Sequence, residues 1–103
     1  MKMIKWASDI ISGNIREAEK YIAKAYELRE INREAADWCK EMAAKHLEFN
    51  GKGHELVKRL IADYNASGKN NELAPGMQAV YNEIHADLIR RAAEVQGMIA
   101  AYK

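Results

Sequence analysis

The chain has little of what many enzymes and secreted proteins rely on. Its 103 residues include one cysteine, one proline, one phenylalanine and three histidines. Cys39 alone excludes an internal disulfide, and without a second thiol there is no zinc knuckle of paired cysteines. Charge of one sign is lacking too: 16 Lys and Arg stand against 15 Asp and Glu, a net charge of +1. A protein that neutralises phosphates carries a clear basic excess, so this balance argues against a nucleic-acid partner. Long apolar runs are missing. Stretches such as Met98 to Tyr102 fall far short of the ~20 residues that a membrane-spanning helix needs. The opening Met1-Lys2-Met3-Ile4-Lys5-Trp6-Ala7-Ser8-Asp9 meets an acidic residue before an apolar region forms. We therefore expect no secretory signal and a cytoplasmic protein.

What is present is the composition of a globular domain, 49% hydrophobic and 30% charged, of a length that holds one core. No strand alternation, internal repeat or low-complexity segment stands out, whereas apolar residues recur at helical spacing along most of the chain. The expectation is one all-α domain over residues 1–103, a bundle of three or four helices. A short N-terminal helix falls at about 3–12, and the other helices at about 14–31, 32–50, 53–66 and 75–102.

Met3, Ile4, Ala7, Ile10 and Ile11 predict a short first helix that stops at Gly13. Asn14 and Glu17 form a capping-box-like pair ahead of the stripe Ile15, Ala18, Ile22, Ala25 and Leu28. Near Asn32 the chain either turns or continues as one helix. Downstream, Ala35, Cys39, Met42, His46 and Phe49 repeat at steps of four and three, with Trp38 and Leu47 beside them, as an inward face would. Gly51 and Gly53 predict a break or kink, each costing a helix about 1 kcal/mol relative to alanine. Leu56, Val57, Leu60, Ile61 and Tyr64 then resume the stripe until the polar run from Asn65 to Asn71, where a loop is expected. Pro75 suits the first turn of a last helix whose face runs through Met77, Tyr81, Ile84, Leu88, Ala92, Val95, Ile99 and Tyr102. Such a helix spans ~42 Å. That length in a small chain predicts packing against other helices, including those of a second copy, and hence a homo-oligomer.

Catalytic and cofactor motifs fail at named positions. No Glu has a His three residues away, as a di-iron bundle site requires. His54-Glu55 begins like a zinc-protease helix, but Lys58 stands where the second His belongs. Cys39 and His46 are two helical turns, ~10 Å, apart. Gly68-Lys69 is followed by Asn70, which rules out a phosphate-binding P-loop. We expect no enzymatic activity and no cofactor. Lys58, Arg59, Arg90 and Arg91 are candidate contacts for a small anionic ligand or an acidic partner, although solvated helix faces carry the same residues. Trp6, Tyr26 and Tyr102 are candidate protein contacts, since such side chains bury much area and keep a polar tip. An alternative metal set would combine His46, His54, Glu41 and Glu17.

The run Ala36-Asp37-Trp38-Cys39-Lys40-Glu41-Met42-Ala43, followed by His46-Leu47-Glu48-Phe49-Asn50 and Gly53-His54, resembles small helical proteins of bacteriophages and prophages. That resemblance covers roughly residues 14–64. It implies a non-enzymatic accessory role, such as blocking a host defence factor, and supplies no site residues. A structural component of phage assembly is the other role it admits. The helix-hairpin layout also resembles the ferritin-like superfamily, with Glu17, Tyr21 and Glu41 as remnants of a metal site. The missing Glu and His three apart leave a degenerate or intersubunit site as what that likeness implies.

Overall fold

A computed structural model describes the backbone of residues 2–66 and 75–103 and the side chains of residues 5–63 and 82–103. Among them the chain is all-helical, with α1 at Lys2–Leu28, α2 at Arg33–Ala66 and α3 at Pro75–Ala101. The expected loop from Asn65 to Asn71 lies largely outside the described residues, as do the side chains of Tyr64, Met77 and Tyr81.

The chain turns at Asn32. Leu28 O accepts from the backbone N–H of Ile31 and Asn32, at 2.9 and 2.8 Å, and closes α1. Asn32 Oδ1 then accepts from Ala35 N at 3.0 Å and caps α2, satisfying an amide that would otherwise lack a partner. At the glycines the sequence reading needs correction. α1 runs through Gly13 and α2 through Gly51 and Gly53, so the helices expected at 3–12 and 14–31 are one, as are those at 32–50 and 53–66. The propensity cost of each glycine is small beside the burial of the flanking apolar turns, which include Ile11, Ile15 and Val57.

α1 and α2 form an antiparallel hairpin, and α3 runs back along one flank of it, antiparallel to α2. The molecule is a rod of 55 × 20 × 18 Å. Its radius of gyration of 16.5 Å exceeds the ~13 Å of a compact domain this long. The core is split. One cluster holds Ala18, Ile22, Ala25, Ala36, Cys39, Ala43, Val95 and Tyr102, and the other holds Ala7, Ile11, Ile15 and Val57. Between them α2 presents His46 and buried Asn50. His46 Nδ1 lies 3.3 Å from Asn14 Oδ1 of α1, while Asn50 Oδ1 is without a hydrogen-bond partner among the described residues. A polar layer of this kind penalises sliding of one helix along the other, because a slip would bury these groups against apolar side chains.

Where α1 and α2 approach, small residues are required. The buried line of α2 is Ala36, Cys39, Ala43, Asn50 and Val57. The inward stripe read from the sequence is therefore rotated. Trp38, Phe49, Leu56 and Ile61 are 54, 55, 37 and 41% exposed, respectively.

Candidate functional site

Two flanks of the hairpin differ. On one, α3 is held by side chains from both partners. Arg91 makes a forked contact with Glu19, through Nη2 to Oε1 and through Nε to Oε2 at 3.1 Å. The bond to Glu19 holds the Arg91 guanidinium above its ordinary pKa, so it stays charged. Tyr26 Oη donates to Met98 O at 2.8 Å, and Tyr102 Oη donates to Asp37 Oδ1 at 2.9 Å. The two tyrosine rings meet edge to face at 5.6 Å. Burial, followed by the bond to Asp37, raises the Tyr102 phenol above its usual pKa. Further along, the imidazoles of His54 and His85 meet with their Nε2 atoms 3.3 Å apart. Burial, then His85 and then Lys58, lowers the pKa of His54 below that of an ordinary imidazole.

The opposite flank carries no helix of this chain among the described residues. Trp6, Ile10, Asn14, Glu17 and Tyr21 follow one another at steps of four and three on α1, which places them on one line. Trp38, Met42, Lys45, Phe49, Gly53 and Leu56 do the same on α2. The lines are adjacent: the Tyr21 ring meets Trp38 edge to face at 5.7 Å and stacks on His46 at 5.5 Å. The result is a strip of apolar surface along the rod in which Trp6 is 60% exposed and Ile10 45%. Its edges carry the ion pairs Lys5–Asp9, Lys20–Glu17, Lys45–Glu41 and Lys52–Glu48, each within one helix.

The residues singled out from the sequence are scattered by the fold. Trp6 lies on the open strip. Tyr26 and Tyr102, expected at a partner contact, instead tie α3 to the hairpin, and Tyr102 is buried. Of the cationic set, Arg90 pairs with Asp87 and Glu94, both at 2.7 Å, Arg91 pairs with Glu19, and Lys58 lies 3.7 Å from Glu55. Arg90's carboxylate partners raise its pKa, and Arg90 in turn lowers that of Asp87. Arg59 is exposed and makes no ion pair among the described residues. Lys58, Arg90 and Arg91 are thus committed to carboxylates rather than to one anion site.

The metal set His46, His54, Glu41 and Glu17 is not assembled within the chain either. His46 and His54 are eight residues, ~12 Å, apart on one continuous helix. Glu41 and Glu17 face lysines of their own helices. No group of three or more His, Cys, Asp or Glu converges among the described residues. Cys39 is buried in the core, 15 residues or ~22 Å along α2 from His54, so that histidine cannot activate it. Sequence reasoning missed the contact of His54 with His85, and it placed Trp38, Phe49 and Leu56 inside. Only the helix phase of the small residues Ala36 and Ala43 signals the latter.

No family model, curated protein or solved structure matches this chain. No described helix is long and apolar enough to cross a membrane.

Proposed function

We propose that this chain is a non-enzymatic interaction protein that works as a homo-oligomer, with the open α1/α2 strip of one copy covered by that of a second. The observation that carries the reading is that the exposed aromatics of the described residues, Trp6, Trp38 and Phe49, lie together on one flank with Ile10 and Leu56, whereas the exposed aliphatics Ile31, Ile84, Ile89 and Met98 lie in the turn and on α3. An aromatic side chain offers 150–250 Å², so the three aromatics together with Ile10 and Leu56 leave on the order of 400 Å² of apolar surface per copy. Two copies face to face would bury about twice that before any polar rim is added, which brings the pair into the range of ~1,000 Å² expected of specific association.

Charge favours a second copy as the occupant. The cations along the strip are balanced by carboxylates of the same helix, so two identical rims meet without net repulsion. A strongly charged partner would find nothing complementary there. The resemblance of Ala36–His54 to small phage proteins extends the reading to an accessory role in which the oligomer blocks a host defence factor. Capture of a small anionic ligand draws less support, because Lys58, Arg90 and Arg91 already hold carboxylate partners.

The chain's two tryptophans both lie on the strip, which makes their fluorescence a direct reporter. Dilution should shift emission to the red and increase quenching by acrylamide as the copies separate. Emission and quenching that do not change with concentration would remove the reading. Scattering from large defined assemblies would point instead to a structural assembly component.

A further inference from the structure

His54 of α2 and His85 of α3 come together although 31 residues separate them in sequence. Their rings are 4.7 Å apart between centroids and nearly parallel, at 11°. His85 is exposed and His54 half-buried, so water could satisfy either ring, and no burial requirement forces the two nitrogens to face each other. We propose that His54 and His85 form a two-imidazole binding site for a divalent transition-metal ion, zinc first, that clasps α3 onto α2.

Span is the first argument. Two imidazole nitrogens bound to one tetrahedral zinc at 2.0–2.1 Å lie about 3.3 Å from each other. The Nε2–Nε2 separation here is 3.3 Å. The nearly parallel rings need a turn about χ2 to aim both lone pairs at a common point, and that torsion is soft for histidine.

Chemistry is the second. Only neutral imidazole ligates, and an imidazole with the ordinary pKa of about 6.5 is mostly neutral near pH 7. Both rings bind through Nε2 as the Nδ1–H tautomer, so the hydrogen shared between the two Nε2 atoms moves to Nδ1 and none is lost overall. Nitrogen donors select zinc, copper or nickel over magnesium and calcium, which take oxygen. With two protein ligands, the other positions belong to water, and the site is an open clasp rather than a closed structural centre. It shares only His54 with the set read from the sequence, because His46 contacts Asn14 and Tyr21 instead.

Calorimetric titration of the full chain with zinc chloride tests this. About one zinc per chain should bind, with magnesium giving no heat. His54→Gln and His85→Gln should each weaken zinc binding about tenfold or more, and His46→Gln should leave it unchanged. Zinc should also raise the melting temperature of the natural chain and not that of His85→Gln. Far-UV circular dichroism of each variant separates loss of the site from loss of the fold. Copper loaded on the natural chain gives a readout that needs no variant: its paramagnetic resonance spectrum should show coupling to two nitrogens. Absence of zinc binding, zinc binding by His54→Gln or His85→Gln as tight as that of the natural chain, or a copper spectrum with a single nitrogen would overturn the proposal.

Discussion

Gly53 of α2 lies directly against Ile11 of α1: a Cβ built on the glycine would come within 2.9 Å of Ile11 Cγ1. The glycine that reads as a helix breaker is a contact residue inside a continuous helix, and its lack of a side chain lets the two helices approach. Gly13 and Gly51 have no such neighbour among the described residues, where a Cβ on either would meet nothing within 4 Å.

Alanine substitution should therefore change sign along the hairpin. Gly53→Ala is expected to cost about 1–3 kcal/mol through overpacking against Ile11. Gly13→Ala and Gly51→Ala should each stabilise by up to about 1 kcal/mol through helix propensity. Urea unfolding followed by circular dichroism at 222 nm resolves these signs; a stabilising Gly53→Ala would show that the helices do not meet there.

The forked contact of Arg91 with Glu19 fixes α3 against α1, and both side chains are partly shielded, at 24 and 35% exposure. Arg91→Ala should weaken α3 docking by about 1 kcal/mol, a figure reduced for solvent screening. Hydrogen exchange should speed up along α3 and change little in the hairpin. A double-mutant cycle with Glu19→Gln should recover most of the loss as coupling energy.

At alkaline pH the other end of α3 should loosen. Folding raises the phenol pKa of Tyr102, chiefly by burial and then by its bond to Asp37. The unfolded chain therefore loses this proton at lower pH than the folded one. The stabilisation is complete below the ordinary tyrosine pKa of about 10 and is lost as pH rises through the folded value. Ultraviolet titration should show a late-ionising phenol, and Tyr102→Phe should remove that phase. An unchanged late phase in that variant would assign it to another residue.

Asn32 governs where α2 begins. Asn32→Ala removes the acceptor for Ala35 N and should cost about 1 kcal/mol, whereas Asn32→Asp should retain most of the stability. Thermal unfolding of the two variants distinguishes a cap from an incidental turn residue.

The helical class and the inner face of α1 were legible in the sequence, because Ile15, Ala18, Ile22 and Ala25 combine apolarity with unbroken spacing. The inner face of α2 was not. Close packing of two long helices selects Ala36, Ala43 and Gly53 at the contact and turns Trp38 and Phe49 onto the flank, so hydrophobicity alone points to the wrong side. Glycine likewise carries one letter for two roles, breaker and close contact. The contact of His54 with His85 leaves no trace in local spacing, since it arises only when α3 returns along α2. The candidate cations were visible, but the carboxylate partners of Lys58, Arg90 and Arg91 became apparent only at the level of side-chain contacts.

Sedimentation equilibrium across a wide concentration range tests the central claim most directly. The natural chain, 11.7 kDa, should associate reversibly to a small multiple of its mass. The double variant Trp38→Glu, Phe49→Glu should stay monomeric with unchanged helical content, because it places charge in the middle of the proposed interface. A natural chain that remains monomeric at every concentration, or a double variant that associates as readily, would contradict the account.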